Sequence, residues 1–444
     1  MSAAKSNRQY TGGLHDKAVD AVRSALEQIT TTRGTYIAAL RAAETAMTAQ
    51  GYEPEVIDNV DGTPAGTPTQ RASAANEKQL REARARTQAD LDRMQRQLGT
   101  MLATDHTWNK DTLDKLADQI SAAKDRLAQF DSVDQALANA PETYLAQLDI
   151  PADYHGKVHA AVAVGNPDTA RNVSVTVPGV GSTTRASLPD MVKEARSLRD
   201  QATQQLVNAG KPGSVSTIAW MGYDPPPNPI NTGSVADGLA TMGDGQARAG
   251  AASLSSYLEQ VHVNNPNAHL TLLGHSYGSL TSSLALQQLN AEGLHPVNDV
   301  VFYGSPGLEL TDPAQLGVGA GHAYVMGAPT DPIVKWIAPL SDSHGWGANP
   351  YDGMLPQLSA QAGPDPTGVY HPGVNSHADY PRLFHTPDGR DLVRMSEYNL
   401  AAIAAGLPDN KVLATPQLPP PGPPVLPPNL FPPNIPPRIV EGGG

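Results

Sequence analysis

The chain has 444 residues, enough for two domains or for one large domain with an appendage. Its formal net charge of −13 disfavours a nucleic-acid partner, and the absence of cysteine excludes disulfides, thiolate nucleophiles and cysteine metal sites. Residues 1–13 are polar and lack the apolar core of a secretory signal, and no run reaches the roughly 18 apolar residues of a membrane span; the default expectation is a cytoplasmic protein with no integral membrane segment, export by a non-standard route being left open.

Over 14–139 the pattern is helical. Val22, Leu26, Ile29, Tyr36, Ile37, Leu40 and Met47 mark a first long helix, which Pro54 and a segment rich in Gly, Pro and Thr over 61–69 interrupt. A second helix carries Leu80, Ala83, Thr87, Leu91, Met94 and Leu98 at spacings of three and four. A third, with Asp111 as its expected cap, carries Leu113, Leu116, Ile120, Ala123, Leu127 and Phe130 on the same repeat. Such narrow apolar seams predict helices packed antiparallel on one another and against a partner or the rest of the chain. The Arg-rich face over 81–96 reads as solvated helix surface. No catalytic cluster lies here, so 1–150 is expected to be a helical N-terminal domain of bundle or coiled-coil type.

Near Pro151 the periodicity changes to strands alternating with helices. Strands are expected over 158–164, 173–177, 214–220, 270–273, 299–303 and 322–326, with helices over 188–207, 246–262, 277–290 and 396–405. Strands separated by helices imply a mostly parallel sheet covered on both faces, with reactive groups on loops at the strands' C-terminal ends. That is the α/β-hydrolase arrangement, assigned to 151–406. Beyond it, over 407–444, runs such as Leu418-Pro-Pro-Pro-Gly-Pro-Pro424 cannot form a packed core and read as a disordered tail, a linker or a ligand for a proline-reading protein. A protein partner is therefore conceivable for the helical region or the tail.

The chemistry centres on Gly274-His275-Ser276-Tyr277-Gly278, which breaks an apolar run and continues as a helix. By chance, Gly-x-Ser-x-Gly arises in roughly one chain in five of this length, so the context must carry the reading. Here Leu270, Leu272 and Leu273 precede it as a buried strand, and Leu280, Leu284, Ala285 and Leu289 follow at helical spacing. A strand that turns at once into a helix is a nucleophile elbow, presenting Ser276 above the sheet and aiming helix N–H groups at the same point.

A serine needs a histidine to take its proton and a carboxylate to orient that histidine, in the chain order Ser, Asp or Glu, His. Asp331 follows a core strand and is the preferred acid; Asp299 begins its strand, at the wrong edge, and Asp312 sits on a surface turn. His377, in Asn375-Ser-His-Ala-Asp-Tyr380, is the preferred base because its polar loop precedes the last helix, with His344 as the alternative. His371 and His385 read as solvated loop residues, and His275 as a packing or hydrogen-bonding residue. The oxyanion donors are expected at the N–H of Tyr277 and in the Gly179-Val180-Gly181 loop, with the Gly222-Tyr223 turn as the alternative second donor. Between acid and base, 336–374 carries Trp336, Trp346, Tyr351 and Tyr370 and is either an apolar lid or a surface insertion. No cofactor or metal is expected, since carboxylates and histidines are not grouped at ligand spacing.

The ordered motifs Val177-Pro-Gly, Gly222-Tyr-Asp-Pro-Pro, Gly274-His-Ser-Tyr-Gly-Ser279, Asp299-Val-Val with Gly304-Ser-Pro-Gly307, Thr330-Asp-Pro-Ile333 and Ser376-His-Ala-Asp-Tyr380 resemble the actinobacterial α/β-hydrolase family catalogued as domain of unknown function 1023. The likeness covers about 151–406. It implies a serine-hydrolase fold and supports Ser276, Asp331 and His377 by position, while implying little about substrate. The function expected is that of an esterase or lipase-like enzyme acting on a small-molecule or lipid acyl ester. The alternatives are an acyltransferase and an interaction protein that retains the fold.

Overall fold

The computed structural model describes residues 66–103, 109–211, 213–227 and 243–415. The helix expected around Val22 to Met47 and most of the proline-rich tail lie outside the described residues. The described residues belong to one compact unit, which runs from Gly66.

Two long helices come first, α1 (Pro68–Ala103) and α2 (Lys110–Ala138). Asn109, not Asp111, caps α2: its side chain accepts the Asp111 N–H at 3.0 Å, because the residue before the first turn is the one whose side chain can reach the unpaired amides. The helices run antiparallel. Leu91 and Met101 of the first meet Leu116 and Ile120 of the second at one end, while Leu80 and Ala83 meet Phe130 and Val133 at the other. Arg84 lies against both Asp131 and Asp134 across this contact.

A strand that the sequence reading did not anticipate follows: β1 (Thr143–Asp149), before Pro151. It is the edge of an eight-stranded sheet with β2 (His159–Val164), β3 (Asn172–Val177), β4 (Val215–Met221), β5 (His269–His275), β6 (Asp299–Tyr303), β7 (Ala323–Met326) and β8 (Gln357–Leu358). The spatial order is β1-β2-β4-β3-β5-β6-β7-β8; β2 pairs antiparallel with both neighbours and the remaining pairs are parallel. This is the α/β-hydrolase fold. The central strands are buried on both faces almost along their whole length, β2, β4 and β6 by mainly apolar residues and β3 with small polar ones such as Ser174 alternating with valines.

Helices α3 (Thr184–Asn208) and α6 (Met395–Ala404) cover one face, and α4 (Gly245–Asn264) and α5 (Tyr277–Ala291) the other. The α1–α2 pair extends the α3 layer. Phe130, Val133 and Ala136 share a core with Val158, Val162, Leu188 and Val192. Polar contacts fix this docking. The Ser73 hydroxyl accepts the Leu145 N–H at 2.9 Å and Asn76 donates to the Leu145 carbonyl at 2.8 Å, so α1 covers part of an edge strand that would otherwise offer unpaired groups. The buried Arg126 guanidinium donates to the carbonyls of Pro151, Asp153 and Gly156, which ties α2 to the β1–β2 turn.

Candidate active site

At the C-terminal end of β5 the chain turns directly into α5, and Ser276 takes up the corner with φ 55° and ψ −130°. A side chain there is strained, and the neighbours explain how the corner closes. A Cβ on Gly274 would stand 2.8 Å from Ser279 Cα, and one on Gly278 would stand 2.5 Å from the carbonyl oxygens of both Val177 and Pro178. Only glycine fits either place. The Ser276 N–H donates to the Tyr303 carbonyl at 2.9 Å, which pins the corner to the end of β6.

Asp331, fully buried, lies in the loop beyond β7. Its carboxylate oxygens stand 3.0 and 2.8 Å from Nδ1 of His377, and it accepts the Tyr380 hydroxyl at 2.8 Å and the Ile333 N–H at 2.8 Å. Burial pushes this carboxyl up, but the hydrogen bonds from His377, Tyr380 and Ile333 and the nearby His377 charge outweigh it and leave it below its ordinary value. An ionised carboxylate only accepts, so Nδ1 of His377 carries a proton and Nε2 is the ring nitrogen left to take one. Nε2 is buried and has no hydrogen-bond partner among the described residues. Gly304 makes room for the pair: a Cβ there would lie 3.0 Å from His377 Cε1 and 3.1 Å from Asp331 Oδ2.

His377 is tied to the elbow through His275. The two rings stack at 4.7 Å between centroids, and Nε2 of His275 donates to the His377 carbonyl at 2.9 Å. Since Ser276 follows His275 and is anchored on Tyr303, next to Gly304, the serine and the Asp331–His377 pair converge at the C-terminal ends of β5, β6 and β7.

On the other side of the serine lies the loop after β3. A Cβ on Gly179 would stand 2.4 Å from Ser276 Cβ and 2.8 Å from its Oγ, so this glycine puts bare backbone against the hydroxyl. Val180 follows it. Gly181 instead donates its N–H to the Pro226 carbonyl at 2.7 Å. The Tyr223 hydroxyl holds this loop, donating to the Pro178 carbonyl at 2.6 Å while its ring stacks on Trp220 at 5.8 Å. Gly222 therefore packs on the Trp220 indole, which a Cβ would approach to 2.4 Å.

The other sequence candidates lie elsewhere. His344 stacks on Trp346 at 5.0 Å, with no carboxylate within ion-pair distance among the described residues. His371 is not a solvated loop residue: it is buried, with Nδ1 on the Val393 carbonyl and Nε2 3.3 Å from Asp365. Two-residue strands at Gly363–Pro364 and Tyr370–His371 enclose it in a way no local pattern announces. His385 is exposed and pairs with Asp391. Asp299 sits at the opposite end of the sheet between His269 and His322, each 2.8 Å away, and Asp312 caps a short 3-10 turn. The 336–374 segment is part of the body of the protein in places: Trp346 is fully buried, the Tyr351 hydroxyl accepts the Ser305 N–H at 2.7 Å, and β8 joins the sheet, whereas Tyr370 is exposed.

Tyr380, absent from the sequence candidates, is the main addition. Its position three residues after His377 in the same polar segment was the available signal. Among the described residues no group of three or more His, Asp or Glu side chains is placed to hold a metal ion, and no helix is long and apolar enough to cross a membrane.

The fold and the elbow define an α/β hydrolase, and the sequence comparisons agree. The family described as alpha/beta hydrolase matches residues 153–342. Uncharacterized proteins of Mycobacterium tuberculosis (H37Rv) and Mycobacterium bovis are each 41% identical over 283 residues, covering 62% of this chain and 93% of theirs. The chain belongs to this actinobacterial α/β-hydrolase family. Among solved structures, it is similar to an α/β serine hydrolase without lid from Xanthomonas campestris (16% identity, TM-score 0.31, 62% of this chain and 98% of that one). It is also similar to a Trichoderma reesei cutinase (18% identity, TM-score 0.25, 37% and 64%).

Proposed function

We propose that the chain is a serine hydrolase of carboxylic esters, with Ser276 as nucleophile, His377 as general base and acid, and Asp331 as the orienting carboxylate, and that its narrower family is that of domain of unknown function 1023. The observation that carries this reading is the pairing of buried Asp331 with half-buried His377, whose histidine is bound through His275 to the strained corner at Ser276.

Ser276 Oγ attacks the acyl carbonyl carbon as its proton passes to Nε2 of His377. The carbonyl π-electrons move onto oxygen, and the N–H groups of Tyr277 and of Gly179 or Val180 receive that charge. Collapse expels the alkoxide, which takes the proton from His377 and leaves as the alcohol. Water, deprotonated by His377, then opens the acyl-enzyme and releases the acid. The substrate is a small-molecule or lipid acyl ester.

The test is reaction with a fluorophosphonate probe, comparing wild type with Ser276→Ala, His377→Ala and His344→Ala, alongside p-nitrophenyl esters of rising chain length. Ser276→Ala abolishes labelling, His377→Ala slows it by orders of magnitude and His344→Ala leaves it near wild type. A folded wild type that does not label removes the hydrolase reading and favours a binding protein.

A further inference from the structure

His275 precedes the nucleophile and is not one of the three groups that exchange or orient the proton, yet its side chain both stacks on the base and donates to the base's carbonyl. We propose that His275 is a positioning residue for His377, fixing the base's backbone by a hydrogen bond and its ring by stacking; the proposal rests on Ser276, His377 and Asp331 acting as described above.

A carbonyl can only accept, so the 2.9 Å contact between His275 Nε2 and the His377 oxygen assigns the proton to Nε2 of His275. That bond joins β5 to the loop carrying the base, two segments about 100 residues apart in sequence that would otherwise meet through side chains. The stack adds an orientation. With centroids 4.7 Å apart and planes 29° apart, the His275 ring limits rotation of the His377 ring, while its own stack on Tyr303 at 4.9 Å and its tilted contact with Tyr380 at 6.0 Å keep it from yielding. Asp331 lies in a different loop and Tyr303 ends β6, so Nδ1 of His377 is held toward the carboxylate and Nε2 away from it.

The neighbour of a general base must also stay uncharged when the base is protonated. Desolvation, with the adjacent His377 charge, pushes the His275 ring down to about 3, and Asp331 and Arg382 are the other charged groups that bear on it. His275 therefore remains a neutral donor at neutral pH, and does not repel the imidazolium formed at each proton transfer.

Two substitutions separate the functions of the side chain. His275→Phe keeps a ring to stack and removes the donor; His275→Gln keeps a donor near the Nε2 position and removes the ring. With the full chain, the fluorophosphonate labelling rate of His275→Phe is expected to fall about 10- to 100-fold, as for a base displaced by a fraction of an ångström to 1 Å. His275→Gln recovers to within about fivefold of wild type. The acid limb of the labelling-rate profile moves in the phenylalanine variant, and the downfield Nδ1 proton of His377 in 15N-histidine-labelled protein, identified by its loss in His377→Gln, shifts or broadens. A purely structural role moves neither at constant folded fraction. Folded variants that both label at the wild-type rate with an unchanged pH limb overturn the proposal, as does a loss that follows the folded fraction alone. If His275→Phe does not fold, the glutamine variant decides: a rate a few-fold below wild type with a shifted or broadened His377 Nδ1 proton supports the clamp, and a wild-type rate with an unchanged proton overturns it. A wild type that does not label at all removes instead the hydrolase reading on which the proposal stands.

Discussion

The Tyr380 hydroxyl donates to Oδ2 of Asp331 at 2.8 Å, and the same oxygen stands 2.8 Å from Nδ1 of His377. Tyr380 is fully buried, and its oxygen accepts the Ala328 N–H at 2.9 Å, so the phenol is fixed by the loop that carries Asp331. Burial, together with Tyr351 and Asp331, holds the phenol well above its ordinary pKa, and it stays a donor. Tyr380→Phe removes one hydrogen bond from the carboxylate and leaves the Ala328 amide unpaired, at a cost of about 1–3 kcal/mol in stability. The lost bond favoured the charged carboxyl, so the Asp331 pKa rises and, on the proposed mechanism, hydrolysis of a p-nitrophenyl ester declines at a higher pH on the acid side than in wild type. The kcat/KM profile of the variant, read beside its thermal midpoint, decides this; an acid limb that does not move argues against a role for the phenol at Asp331.

Strain at the elbow makes a second expectation. Ser276 holds φ 55° and ψ −130°, a conformation glycine adopts freely and other residues at a cost of about 1–3 kcal/mol. Ser276→Gly abolishes labelling and raises the unfolding free energy by about 1 kcal/mol, whereas Ser276→Ala abolishes labelling without the gain. Urea unfolding of the two inactive variants compares them directly. Equal stability would mean that the corner is unstrained.

The elbow and the parallel strands were legible because their signals are local: glycines flank Ser276, and the strands are short valine- and leucine-rich stretches, alternating in β3. The reading of Asp331 and His377 used only where a loop falls after a strand or before a helix. Features made by distant pairing were not legible. β1 alternates weakly, and its edge groups are partnered by Ser73 and Asn76 some 70 residues earlier. His371 is buried by Asp365 and Val393 through strands only two residues long, and Tyr380 acquires its role from a loop about 50 residues upstream. The capping of α2 by Asn109 rather than Asp111 was a different error, since the signal was local and misplaced by two residues.

Gly179 supplies a third prediction. With 2.4 Å between its hypothetical Cβ and Ser276 Cβ, Gly179→Ala must displace either Ser276 or the loop proposed to receive the oxyanion. Removing a single oxyanion donor costs about 100- to 1,000-fold in kcat elsewhere, and a loss of that order is expected here. The fold should survive, because the clash lies at the open end of the sheet. Single-turnover acylation with a p-nitrophenyl ester reports the loss, and circular dichroism the fold; acylation at the wild-type rate would show that the loop after β3 does not serve the serine.

Glu397 gives the pH dependence of stability. It lies in the first turn of α6, buried, with the Ser197 hydroxyl on one oxygen and no partner for Oε2 among the described residues. Desolvation, and the nearby Glu194 charge, raise it from 4.5 to about 7, against the hydrogen bond from Ser197 and the charge of Arg394. Glu194 on α3 is itself raised by burial, although Arg382 pairs with it at 2.9 Å. The neutral form is thus the one the fold favours. Because the folded value exceeds the unfolded one, this stabilisation is fully present below about pH 4.5 and is lost as the pH rises through about 7. The difference is worth roughly 3 kcal/mol as an upper figure. Arg382 and the Ser396 hydroxyl, which donates to the Tyr380 carbonyl at 2.8 Å, link this pair to the loop that carries His377. Ionisation of Glu397 as the pH rises through about 7 therefore bears on the segment that carries His377. Glu397→Gln keeps an acceptor for Ser197 and cannot ionise, so its unfolding free energy should exceed that of wild type at pH 8 and match it near pH 4.5. Equal curves for the two proteins from pH 4.5 to 8 would place the ionisation of Glu397 outside the folding equilibrium.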